Sequence, residues 1–337
     1  MNKILVFCSL VFITSVYAVA PGYHVIKKLQ IGGDGFWDYL IVDSAARRLY
    51  VSHSTRVVVI DLETDKVVGE INNTPGVHGI ALAPELNRGF ISCGRASTAI
   101  IFDLKTLKVM GKVKTGTNPD AIRYDPATKQ VFVFNGRSND ATVFNAANGE
   151  IKGTIALGGK PEFSTTDGKG KIYVNIEDLN EVVEIDSRKL SITRRFSILP
   201  GEEPTGMGFD PDHHRIFSGC GNKIMTVLDT ETGKVIGTVP IGQGCDGVGF
   251  DSETGLIFCS NGEGTLTVVQ ESSPGKFEVA ETVNTQTGAR TMTIDPKTHD
   301  IYLPTAQFAP PAKPTSEVPR PRRTMIKDSF IILVLGK

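Results

Sequence analysis

Short apolar runs alternate with turn residues along the whole chain, and the alternation repeats as a unit. In each unit an apolar strand reaches a turn and leads into an aromatic strand. The turns are anchored at Asp43 (before Leu49-Tyr50-Val51), Ala83 (Gly89-Phe90-Ile91), Asp125 (Val131-Phe132-Val133) and Asp167 (Ile172-Tyr173-Val174). They recur at Asp210 (Ile216-Phe217-Ser218), Asp251 (Ile257-Phe258-Cys259) and Asp295 (Ile301-Tyr302-Leu303), so seven anchors follow one another at intervals of 40 to 44 residues. A fixed period of this length marks one supersecondary unit used repeatedly. Each unit continues with a strand ending in Asp, a short turn and a further strand, as in Val58-Val59-Ile60-Asp61, Thr64-Asp65-Lys66 and Val67-Val68-Gly69-Glu70-Ile71. Asp accepts turn N–H groups and Gly supplies positive φ, so the unit reads as four antiparallel strands, a to d.

Seven such units predict an all-β, seven-bladed propeller. Past Tyr302 only one strand remains, Phe330 to Leu335, which leaves blade 7 without a fourth strand. Tyr23 to Ile31 precedes the first anchor and is expected to fill that place, closing the ring and removing its open edges. Three departures from the repeat stand out. Ala83 replaces the anchor Asp in blade 2, the blade 4 hairpin is one residue shorter, and blade 6 ends in an irregular stretch from Glu271 to Lys276.

The segments Ile172-Tyr173-Val174-Asn175 and Val131-Phe132-Val133-Phe134-Asn135, with the Val-x-Asp-x-x-Thr-x-x-Val-x-Gly-x-Ile segments after strand c, resemble the YVTN repeat family of exported bacterial seven-bladed propellers. The resemblance covers essentially the whole chain after its first segment. It implies the fold and an exported location, and it carries over no single activity and no catalytic residue. WD40 repeats are a poorer match, since Gly-His and Trp-Asp pairs are absent and Trp37 is the only tryptophan.

The first segment has the form of an export signal. Lys3 precedes the apolar run Ile4 to Val16, which is shorter than the roughly 18 residues a membrane span needs, and Val16-Tyr17-Ala18 suits cleavage after Ala18. Residues 19–337 would then form one propeller domain, periplasmic or secreted, without a membrane span and monomeric. The 337 residues carry 36 basic and 37 acidic side chains, a balance that argues against a polyanion-binding protein.

Function must be read from the site, because propellers host unrelated activities. The residues five before each anchor are Asp38, His78, Asp120, Glu162, Thr205, Asp246 and Arg290, at the start of strand a, the strand that lines the channel. Placed around one mouth, these side chains would form a ligand-binding ring with Trp37 beside it. Asp38, His78, Asp120, Glu162 and Asp246 supply the oxygen and nitrogen donors of a divalent metal site. The other reading makes each carboxylate an acceptor for its own Gly/Pro turn. A second ring at the ends of strand b comprises His53, Cys93, Asn135, Ile176, Cys220, Asn261 and Thr305; His53 and Cys93 beside His78 offer a soft metal site whose spacing matches no known motif. Cys220 and Cys245, on adjacent loops, are positioned for one disulfide.

Between strands b and c of blade 7 lies an insertion, residues 304–328, rich in Pro and basic residues. Arg320, Arg322 and Arg323 there could meet an anionic partner, although the segment lacks the interleaved aromatics of a nucleic-acid surface. No G-x-S-x-G, H-E-x-x-H or Walker sequence is present. The expected function is therefore an exported module that binds a small ligand or a protein at the channel mouth, with a metal-dependent lactonase or hydrolase using the same ring as the alternative. A protein-interaction scaffold is the third reading.

Overall fold

The computed structural model describes residues 20–310 and 324–337. Seven four-stranded antiparallel sheets stand around a central channel, each strand paired with its sequence neighbour in blades 1 to 6. Blade 1 comprises Trp37–Asp43, Arg48–His53, Arg56–Asp61 and Lys66–Asn72. The other inner strands are Val77–Ala83, Pro119–Asp125, Pro161–Thr166, Pro204–Asp210, Cys245–Asp251 and Thr293–Ile294. Three short 3-10 turns are the only helical elements among the described residues.

Blade 7 closes as expected. Ile331–Gly336 pairs with Ile301–Thr305 on one side and with the N-terminal strand His24–Gln30 on the other. No helix among the described residues is long and apolar enough to cross a membrane.

Strands b and c are buried on both faces and outer strands alternate, which matches their composition: Leu49, Tyr50 and Val51 are sealed, whereas Lys66 to Asn72 shows water every face but Ile71. The core lies between the blades. Phe90, Ala99 and Ile101 of blade 2 pack on Val131, Val133 and Phe144 of blade 3, and Leu49, Val51 and Ile60 of blade 1 pack on Phe330, Ile332 and Val334 of blade 7. Each blade thus buries its two faces against its neighbours, and the ring must close for all of them to be covered.

The irregularities have local causes. Where Ala83 stands in place of the anchor Asp, Pro84–Leu86 forms a 3-10 turn that ends on Asn87 in the left-handed region (φ 53°). In blade 4 strand a ends at Thr166, and Asp167 sits in the turn, where its carboxylate accepts the N–H groups of Lys169 and Lys171. Residues 271–276, expected to be irregular, lie in a long hairpin whose register shifts between Glu271 and Ser273: strand c runs Thr265–Ser273 and strand d Lys276–Asn284, with Gly275 at φ 76° in the turn.

Candidate functional site at the channel mouth

The anchor carboxylates and the ring carboxylates do different work at opposite ends of strand a. Asp43, Asp210 and Asp251 accept N–H groups of their own a-to-b turns. Asp295 does so as well and also joins blade 7 to blade 1 through Ser44 and Arg47.

The ring residues occupy the second position of strand a in blades 1 to 6, with Arg290 just before the short inner strand of blade 7. A register shift lies beside this point in each of blades 1 to 6. A bulge of this kind turns two successive side chains away from strict alternation. Asp38 consequently meets its ring neighbours while Tyr39, the next residue, reaches across the channel to Phe163 of blade 4 at 5.3 Å between ring centroids.

The backbone at this level is pinned from blade to blade. Ser92 Oγ donates to the carbonyl of Asp120, Ser260 Oγ to that of Arg290 at 2.5 Å, Asn175 Nδ2 to that of Thr205 at 2.8 Å, and Thr291 Oγ1 to that of Asp38 at 2.7 Å. Thr205 differs from the other ring members because its own hydroxyl donates to the Cys245 carbonyl at 2.6 Å. Inner strands approach closely here: a Cβ on Gly206 would stand 2.7 Å from the Val248 nitrogen. The side chains above this layer are therefore held by a rigid backbone.

Three cations, His78, Arg290 and Lys160, are interleaved with the carboxylates of the mouth. His78 Nδ1 lies 2.6 Å from Asp38 Oδ2 and 3.7 Å from Asp120 Oδ1. Arg290 reaches Asp246 at 3.2 Å and Asp38 at 4.0 Å. Glu162 is held by Lys160 at 2.6 Å, and Lys160 also binds Glu177. Burial alone would lower the His78 pKa, but the Asp38 hydrogen bond and the Asp120 charge outweigh it and raise it to about 9, so the ring is an imidazolium at neutral pH. Burial, then the Asp38 charge, raises the Asp120 carboxyl; burial, then Asp120, raises Glu162; burial also raises Asp246. One donor atom each from Asp38, His78 and Asp120 lies within 4.8 Å of the others, a set that fits a small divalent cation. Beside the ring, a recess of about 430 Å³ is bordered by Glu177, Glu203, Thr205, Asp246, Arg290 and Phe308.

All seven ring positions read from the sequence come together at this mouth. Lys160, Glu177 and Tyr39 belong to it as well and were not anticipated. Lys160 and Glu177 lie outside the counted position, and strict alternation would have turned Tyr39 away from the channel. Trp37 is buried behind the mouth between Phe330 (5.2 Å) and Phe308 (6.0 Å), which is a packing role.

The second ring does not form a site. All its members are buried; His53 stacks on Phe330 at 4.2 Å, and burial with the nearby Arg56 pushes its pKa down to about 4. Burial pushes the Cys93 thiol up to about 12, and among the described residues neither His53 nor Cys93 belongs to a group of three or more donors close enough to share a metal ion. The expected Cys220–Cys245 disulfide is not formed either, since Cys93, Cys220, Cys245 and Cys259 are buried free thiols; Cys245 is turned toward Cys259 instead.

The insertion of blade 7 begins and ends in contact with the mouth. Phe308 bridges Met325, and Ala309 N–H donates to Thr324 O at 2.8 Å. Arg320, Arg322 and Arg323 lie outside the described residues.

No protein-family model matches the chain, so the YVTN likeness rests on the repeated segments themselves. No curated protein matches it in sequence. Among solved structures, a chain of the hydrazine synthase from Kuenenia stuttgartiensis is similar in fold, with a TM-score of 0.69 and 16% identity over 88% of this chain and 96% of that one.

Proposed function

We propose that this protein is an exported binding module of the YVTN-repeat type that takes a small ligand at the channel mouth and holds a divalent cation there. The observation that carries the reading is the convergence of Asp38, His78 and Asp120 from three adjacent blades, with donor atoms within 4.8 Å of one another. Further support comes from the carboxyls of Asp120, Glu162 and Asp246, which burial first, and then neighbouring carboxylates, raise, so that a bound cation would ease their ionisation. Such an ion would also displace the proton on His78. The export reading rests on Lys3 and the apolar run Ile4 to Val16, outside the described residues.

Elemental mass spectrometry of the mature protein, dialysed without chelator after exposure to Zn²⁺, Mn²⁺ or Ca²⁺, tests the cation. About one equivalent is expected in the wild type and none in Asp38→Asn or Asp120→Asn. No uptake of any of the three ions by the wild type would refute it. A hydrolytic reading draws on Glu162, whose raised carboxyl stands in the same ring as a candidate proton donor; turnover of lactone or ester substrates by the metal-loaded protein, lost in Glu162→Gln, would favour it.

A further inference from the structure

Below the Tyr39–Phe163 pair the channel widens again into a cavity of about 250 Å³ that no ring residue lines. Its lining mixes polar groups with apolar side chains, Ile41, Ile80, Ile122, Val248, Phe250 and Ile294 among them, and Ile41, Phe250 and Ile294 lie toward the anchor-Asp end of their strands, the face opposite the mouth. One charged side chain enters this space. Arg123 stacks its guanidinium on Phe163 at 5.3 Å and donates Nη2 to the Ser164 carbonyl. Its Nε is buried with no acceptor, and among the described residues Arg123 has no carboxylate partner. Arginine is expensive to bury and is normally paired when it is. Burial lowers its pKa to about 10, so it stays a cation at neutral pH. The Tyr39 phenol also lines this cavity and offers a second donor.

We infer that this lower cavity is a second binding site, distinct from the mouth, for a small aliphatic monocarboxylate: the carboxylate pairs with Arg123 and accepts from Tyr39, and the alkyl chain lies along the isoleucine wall. A guanidinium without a carboxylate partner, set beside a row of isoleucines, selects an anion with a hydrophobic tail. Its planar fork suits a carboxylate. The Tyr39–Phe163 pair stands between this chamber and the acidic ring, so the ligand enters from the anchor-Asp face. The inference does not depend on a metal at the mouth.

Isothermal titration calorimetry with hexanoate, hexanol and hexylamine tests it. Hexanoate is expected to bind the wild type at one site, with hexanol and hexylamine weaker by about tenfold or more, the worth of a charge-assisted hydrogen bond. Arg123→Gln should abolish the preference for hexanoate, and Arg123→Lys should keep part of it. Equal binding of hexanoate and hexanol by the wild type, or no binding of hexanoate, would overturn the inference. The wild-type comparison decides the matter even if Arg123→Gln fails to fold.

Discussion

His78 is the residue on which the mouth turns. It takes its proton from the Asp38 hydrogen bond and the Asp120 charge against the pull of burial, and its ring is seated on Gly94, where a Cβ would come within 2.8 Å of Nε2. Removing the Asp38 charge should release that proton. In Asp38→Asn the His78 pKa is expected to fall from about 9 by more than one unit, read from the pH dependence of its imidazole resonances in NMR. An unchanged titration would mean that Asp38 does not hold the imidazolium. His53, only 25 residues earlier in the sequence, shows the opposite outcome of the same chemistry: buried against Phe330, with Arg56 nearby, it is pushed down to about 4 despite the charge of Asp34.

At the scale of the strand, the hydroxyls of strand b decide where the ring residues of the next blade stand. Ser260 donates to the carbonyls of Gly247 and Arg290, so Ser260→Ala is expected to cost about 1–2 kcal/mol in denaturant unfolding and to loosen the Arg290–Asp246 pair. A change below about 0.3 kcal/mol would show that these bonds do not position the ring. This level of organisation also marks what could be read from the sequence. Strand count, blade boundaries, the closing N-terminal strand and the seven ring positions were legible, because each follows from a period set by Asp turns and aromatic strands. Tyr39 and Arg123 were not, because a bulge breaks the two-residue alternation that would have assigned their faces, and that bulge is a property of backbone pairing between inner strands. The bridge between Cys220 and Cys245 did not follow from loop adjacency, which brings the two near each other without setting side-chain direction, and both stay free thiols.

For the whole molecule, ring closure and mouth charge set how stability responds to its surroundings. Truncating the chain through Gln30 removes Tyr23 and the strand His24–Gln30, which uncovers Phe258 and exposes the edge of Ile331–Gly336, so the truncated chain should unfold roughly 10 °C lower in calorimetry, with a broadened transition. Asp120, Glu162 and His78 all bind protons more tightly in the folded chain than in the unfolded one. The folded state therefore holds the extra protons from the usual carboxylate range up to about pH 9, and stability falls as pH rises across that window. Asp295 and Glu184, held low overall by their hydrogen bonds despite burial, act oppositely and withdraw stability only as pH drops through the carboxylate range. The thermal midpoint is expected to decline from about pH 5 to about pH 9, and to decline less steeply in Asp120→Asn; a midpoint that rises over this interval would exclude the charge arrangement described. The pinned backbone beneath the ring has one more consequence. Asp38, Asp120 and Arg290 are tied to the scaffold through their carbonyls, whereas Thr205 commits its hydroxyl as well. At those three positions the side chain is a letter that can be exchanged while the bond that fixes its backbone stays in place, so the lettering of the mouth and the frame that carries it are separable.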